Sequence, residues 1–160
     1  MKFSYFNQGK TRFGLTAFGR GITGVISTIA PRFSAFLGKN ILMRPYGKRA
    51  YSNELISPDR ELKLPTSMGK AHINLFGSGN EVIIVNHGWA DNSQSFQQMI
   101  IALVAQGYLV AAVDNIGHGK SSGNKSHLLS FIETLELVVE HFNEERVETI
   151  AIIGHSMGAI

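Results

Sequence analysis

Hydrophobic residues recur along this chain with two different periods. From Leu15, the apolar positions Leu15, Phe18, Ile22, Val25, Ile26 and Ile29 follow helical spacing, with Thr16, Arg20, Thr23 and Ser27 opposite. Gly19, Gly21 and Gly24 each weaken an isolated helix by roughly 1 kcal/mol relative to alanine, so this helix needs a packing partner. Pro31 suits the first position of a second short helix, whose expected buried set is Phe33, Phe36, Leu37 and Ile41. Residues 1 to about 12 read as a loose, polar start.

From about Asp59 the period shortens to two. Leu62 and Leu64 alternate with polar residues over Arg60 to Thr66, and Ala71, Ile73 and Leu75 do so over Lys70 to Phe76. This predicts an antiparallel strand pair around Thr66–Gly69. After the turn Gly77-Ser78-Gly79-Asn80, the run Val82-Ile83-Ile84-Val85 is uninterrupted, as expected of a strand covered on both faces of a parallel sheet. A helix follows over Ser93 to Gln106, with Phe96, Met99, Ile100, Leu103 and Val104 inward and Gly107 as its stop. Leu109 to Val113 predicts a second buried strand. Ser130-Phe131-Ile132-Glu133 matches a capping box for a helix lined by Leu135, Val138, Val139 and Phe142. Thr149 to Ile153 predicts a third buried strand. Strand and helix alternating in this way predict an α/β fold, a three-layer sandwich with a mostly parallel sheet and right-handed crossovers.

Composition fits one such core: 44% of the 160 residues are hydrophobic and 17% charged. The absence of cysteine excludes disulfides, thiolate metal sites and a cysteine nucleophile, and is compatible with a reducing compartment. The net charge of +3 conceals an asymmetry: nine basic and no acidic residues up to Arg49, then six basic against twelve acidic. The basic segment either attracts an anionic surface such as lipid headgroups or nucleic acid, or wraps the acidic body. It delimits an N-terminal extension over 1–50, ahead of a main domain over 51–160. No run reaches the ~18 uninterrupted apolar residues that span a bilayer. The early residues do not resemble a secretory leader, which sets the expectation of a cytoplasmic protein. Residues 13–43 could lie on a membrane as an interfacial anchor or against the main domain as a clamp.

Gly154-His155-Ser156-Met157-Gly158 fits G-x-S-x-G directly after a predicted buried strand. In such a corner the serine hydroxyl is pushed clear of the sheet, and side chains at Gly154 or Gly158 would collide with neighbouring backbone. Asn86-His87-Gly88-Trp89 closes the first buried strand, where Gly88 lets the chain pass close to a substrate carbonyl. The backbone N–H groups of Trp89 and Met157 are the expected oxyanion donors, and the Trp89 ring either walls the substrate pocket or packs structurally. Asp114-Asn115-Ile116-Gly117-His118-Gly119-Lys120-Ser121 closes the second buried strand.

These three motifs, in this order, resemble the α/β-hydrolase superfamily over about residues 60–160, most closely its bacterial esterase, lysophospholipase and serine aminopeptidase-like branch. The resemblance implies that Ser156 is the nucleophile, and that Asp114, Gly117, His118 and Gly119 form a structural loop beside the structural residues His87, Gly88, Gly154 and Gly158. It also implies that the acid and then the base follow the nucleophile. All six histidines and every carboxylate precede Ser156, so none occupies those places; His72 is expected on a strand, and His127 and His141 facing solvent. The chain therefore reads as the N-terminal part of such a domain, expected to be inactive alone. The expected chemistry is acyl or ester hydrolysis of a small molecule, with no cofactor, no metal and no nucleic-acid partner. An acyltransferase or thioesterase, or a catalytically silent binding module on the same scaffold, are the competing readings.

Overall fold

A computed structural model describes residues 12–47, 49–52 and 56–160. The loose start read before residue 12 lies outside the described residues. The chain divides after Leu42 into two compact units.

The first unit contains helices α1 (Arg12–Ile29) and α2 (Pro31–Leu42). Pro31 stands at the first position of α2, where its missing N–H costs nothing. The α-helical bonding step continues on either side of the joint, from Ala30 N–H to Ile26 O at 2.8 Å and from Ser34 N–H to Ala30 O at 3.0 Å. The expected burial of Phe33, Phe36, Leu37 and Ile41 is not observed: no residue of α2 is buried. Two short helices meeting end to end at a proline have too little surface between them to enclose a core.

The second unit is built on a five-stranded mixed sheet of order β1-β2-β4-β3-β5. β1 (Arg60–Thr66) and β2 (Gly69–Phe76) form the expected hairpin, with Thr66 opposite Gly69. β2 pairs antiparallel with β4 (Leu109–Asp114), while β3 (Glu81–Asn86) runs parallel to both β4 and β5 (Glu148–Gly154). Alternation along β4 sorts its side chains between the two faces. Leu109, Ala111 and Val113 join Ile73, Ile84, Val138 and Phe142 in one core layer. Val110 and Ala112 join Phe76, Val85 and Ile100 in the other. Helix α4 (Leu128–Glu144) thus covers one face and α3 (Gln97–Ala105) the other, giving three layers.

The sheet positions the three motifs, because β3, β4 and β5 all deliver their C-terminal ends to one edge of the domain. Four local expectations are corrected. Thr149 to Ile153 is not buried on both faces: β5 has β3 as its neighbour on one side only, and Ile150 and Ile152 are 40% and 46% exposed. Met99 is also exposed: Phe96, Ile100, Leu103 and Val104 pack inward as expected, and Met99 lies at the edge of that face. Helix α4 begins two residues before Ser130, because His127 takes the cap position: its Nδ1 accepts from Ser130 N–H and Ser130 Oγ accepts from His127 N–H, both at 3.1 Å. Glu133, freed from the cap, accepts from the N–H and hydroxyl of Ser67 at 2.6 and 2.7 Å. Neither His127 nor His141 is fully solvent-facing; the His141 ring lies 5.5 Å from that of Phe142.

Candidate active site

Gly154 ends β5 in register with Asn86. His155 is still extended, but Ser156 turns to φ +53° and opens a 3₁₀ turn over Ser156–Gly158. A non-glycine residue in the left-handed region is strained, and this strain lifts an exposed serine off the end of the strand. The two glycines make the corner sterically possible. A methyl group on Gly158 would overlap the Asn86 carbonyl and come within 2.5 Å of the His87 carbonyl; one on Gly154 would lie 2.6 Å from Ala159 N.

Asn86 fastens this corner to the end of β3. Its backbone carbonyl accepts from His155 N–H at 3.0 Å, and its side-chain Nδ2 donates to Gly158 O at 3.0 Å. Its Oδ1 accepts from Asn115 Nδ2 at 2.7 Å, tying β4 into the same node. The chain then passes the serine at Gly88, where an added methyl would stand 3.0 Å from Ser156 Cβ and 3.0 Å from His155 O. Among the described residues, the backbone amides of Trp89 and Met157 have no hydrogen-bond acceptor.

The loop after β4 holds the loop after β3. Asp114, fully buried, accepts from Ser93 N–H at 2.8 Å through one carboxylate oxygen and from Lys120 N–H at 2.9 Å through the other. Gly119, at φ +45°, makes room for that carboxylate, which a side chain would overlap. Gly117, at φ +78°, lets the loop pass Lys125 O, 2.6 Å from where a methyl would stand. Ser121 Oγ donates to Asp114 O at 2.5 Å. Beyond Ser93 lies Tyr51, whose hydroxyl is 2.9 Å from Ser93 Oγ and accepts from Asn74 Nδ2. Burial, reinforced by the Asp114 charge, pushes the Tyr51 phenol up to about 12.

The two buried histidines are brought together as braces. His87 Nε2 accepts from Asn115 N–H at 3.0 Å, which leaves Nδ1 to donate to Gly88 O at 2.6 Å. Burial holds the His87 pKa below its ordinary 6.5, favouring this neutral form. His118 Nε2 accepts from Ala90 N–H at 3.1 Å, while Nδ1 donates to Ile116 O at 3.0 Å. Their rings stand 5.1 Å apart and both pack on Phe131, against which the half-buried Trp89 ring stacks at 6.5 Å. His72 lies on β2, as expected, 3.6 Å from Glu61. Among the described residues, no group of three or more His, Asp or Glu side chains could hold a metal ion.

Sequence reading missed Asn86, Asn115 and Phe131. A polar residue directly after the apolar run 82–85 was the available signal for Asn86; nothing local marks Phe131 as the platform for three rings.

The family model described as serine aminopeptidase, S33, matches residues 77–160, which contain every motif above. The chain belongs to this family. As an S33-type α/β-hydrolase, it is 35% identical over 106 residues to the human serine hydrolase-like protein, covering 62% of this chain and 50% of that protein. It is 33% identical over 81 residues to the monoacylglycerol lipase of Mycolicibacterium smegmatis, covering 48% of this chain and 29% of the lipase. The family's relatives thus include eukaryotic as well as bacterial proteins. Among solved structures, an epoxide hydrolase of Vigna radiata shares the fold at a TM-score of 0.55 and 22% identity, over 69% of this chain and 33% of that one. Epoxide hydrolase A from Mycobacterium thermoresistibile gives 0.53 and 27%, over 62% and 32%. The chain spans half or less of the length of the curated relatives cited here.

Proposed function

We propose that this S33-type chain carries the nucleophile and oxyanion side of a serine hydrolase acting on carboxylic esters. The observation that carries the reading is the placement of Ser156, exposed at φ +53° on a strand-to-turn corner with Gly88 packed against it. Ser156 Oγ attacks the carbonyl carbon, its proton passing to a general base. The carbonyl oxygen becomes an oxyanion that accepts from the Trp89 and Met157 amides, two donors with no acceptor among the described residues. Collapse breaks the ester C–O bond, the alcohol leaves with the proton, and an acyl group remains on Oγ. Water then attacks the acyl carbon, and the acid departs as Oγ regains its proton.

The general base is neither His87 nor His118. Both ring nitrogens of each are engaged with the backbone, so either would have to break its brace to take the serine proton. In α/β-hydrolase order the acid and the base histidine follow the nucleophile, and Ser156 with the Trp89 and Met157 amides makes the nucleophile and oxyanion side. The similar monoacylglycerol lipase of Mycolicibacterium smegmatis supports an acylglycerol ester as the substrate class. In this reading the Trp89 ring, stacked on Phe131, walls the pocket of the acyl chain.

Pre-steady-state hydrolysis of a p-nitrophenyl ester by the whole protein tests this reading. The expected result is a burst of nitrophenol equal to the enzyme present, absent from Ser156→Ala. Steady release without a burst, unchanged in Ser156→Ala, would exclude an acyl-enzyme on this residue.

A further inference from the structure

We infer that the N-terminal helical unit, Arg12–Leu42, docks on the surface of an anionic lipid bilayer. This proposal is independent of the chemistry at Ser156. It rests on three features of α1 and α2.

The first is an apolar stripe on each of the two consecutive helices. Ile22, Val25, Ile26 and Ile29 recur at steps of one or three residues on α1, and Phe33, Phe36, Leu37 and Ile41 at steps of one, three or four on α2; the bond from Ala30 N–H to Ile26 O closes the first helix and that from Ser34 N–H to Ala30 O opens the second. At 1.5 Å per residue the two stripes together run about 30 Å along the helices. They are uncovered: Ile29 is 79% exposed, Phe33 55% and Phe36 61%. Clustered exposed side chains of this kind mark an interaction surface, unlike scattered single apolar residues.

The second is charge. The nine basic residues up to Arg49 are opposed by no acidic residue there, whereas the remainder carries twelve acidic against six basic. Arg32 and Lys39 project from α2 itself and are exposed. An apolar face with cations and no anions fits a bilayer interface, where side chains enter the acyl boundary and ammonium and guanidinium groups meet lipid phosphates. An acidic protein partner would satisfy the charge but not a 30 Å strip of exposed aliphatic and phenylalanine side chains (about that length by helix geometry).

The third is how the polar side chains are satisfied. Thr23 Oγ1 donates to Gly19 O at 3.0 Å, Ser27 Oγ and Thr28 Oγ1 donate to Gly24 O at 2.8 and 2.9 Å, and Asn40 Nδ2 donates to Phe36 O at 2.8 Å. These side chains turn back onto their own helices, which lowers the cost of leaving water. Among the described residues no helix is long and apolar enough to cross a membrane, so the unit lies in the interface plane.

The test is co-flotation of the whole protein with two vesicle compositions, pure phosphatidylcholine and phosphatidylcholine with about 30% phosphatidylglycerol. Binding to the anionic vesicles is expected, weakened at about 0.5 M salt. Phe33→Ser with Phe36→Ser should lower vesicle affinity about tenfold or more. Arg32→Ala and Lys39→Ala should lower it roughly fivefold each. Because all four positions are exposed, the thermal melting of each variant should match the parent; Leu42→Ser, at 77% exposure, provides a second apolar reading. Failure to float with anionic vesicles overturns the proposal, as does flotation that the phenylalanine variants leave unchanged. Self-association without vesicle binding, abolished by the same variants, would instead make a second copy of this chain the occupant.

Discussion

Asn86 and Gly158 hold the corner of the site together: the Asn86 side chain donates to Gly158 O at 3.0 Å, and the Asn86 carbonyl occupies the space that a Gly158 side chain would need. The end of β3 is thereby locked to the turn that presents Ser156. Since the Trp89 amide lies three residues beyond Asn86 and the Met157 amide one residue before Gly158, this one contact sets the spacing of both proposed oxyanion donors.

Gly158→Ala should therefore damage both stability and chemistry. The added methyl has no direction in which to relax, because both obstructing atoms, Asn86 O and His87 O, are backbone. A loss of roughly 1–3 kcal/mol is expected in urea unfolding, together with loss of ester hydrolysis. An alanine variant with parental midpoint and rate would mean that the corner is not packed as described.

Asp114→Ala should act at a distance. Its buried carboxylate bonds the amides of Ser93 and Lys120, and removal leaves both donors without their acceptor in a closed loop. A destabilisation of about 3 kcal/mol follows from charge-assisted bonds of this kind. The effect on hydrolysis should appear mainly in kcat, since Asp114 reaches the serine only through the loop carrying Trp89. A variant that lowered kcat with no change in unfolding midpoint would assign Asp114 a direct chemical part instead.

Acid sensitivity should trace to His87. Its folded pKa is depressed below 6.5 by burial, so the unfolded chain binds the proton more readily. The stability contributed by neutral His87 is full above pH 6.5 and is lost as the pH falls below that value and through the folded pKa. Urea midpoints measured downward from pH 7.5 should decline in that window, and an NMR titration should place His87 below 6.5. A His87 resonance titrating above 6.5 would contradict the neutral brace.

Much of this architecture was legible in the residues. Continuous apolar runs at 82–85 and 109–113 announced strands covered on both faces, and the period-two pattern of 60–76 announced the hairpin, because side-chain periodicity follows directly from backbone geometry. Less legible was whatever depended on who lies beside whom. The run 150–153 is as apolar as the others, yet β5 has a single neighbour, and sequence carries no record of sheet order. His127 took the cap from Ser130 because an imidazole nitrogen can accept as a hydroxyl does. At the site, the glycines and the serine were readable from steric need, while Asn86, Asn115 and Phe131 act through contacts 13 to 72 residues away in the chain, beyond any local pattern.

The central claim is that Ser156 is the reacting hydroxyl, and covalent labelling addresses it most directly. The whole protein, incubated with a fluorophosphonate and digested, should yield one phosphonylated peptide with the adduct on Ser156, and Ser156→Ala should yield none. An adduct on another residue, or folded parent protein that stays unlabelled while esters are still hydrolysed, would contradict the account.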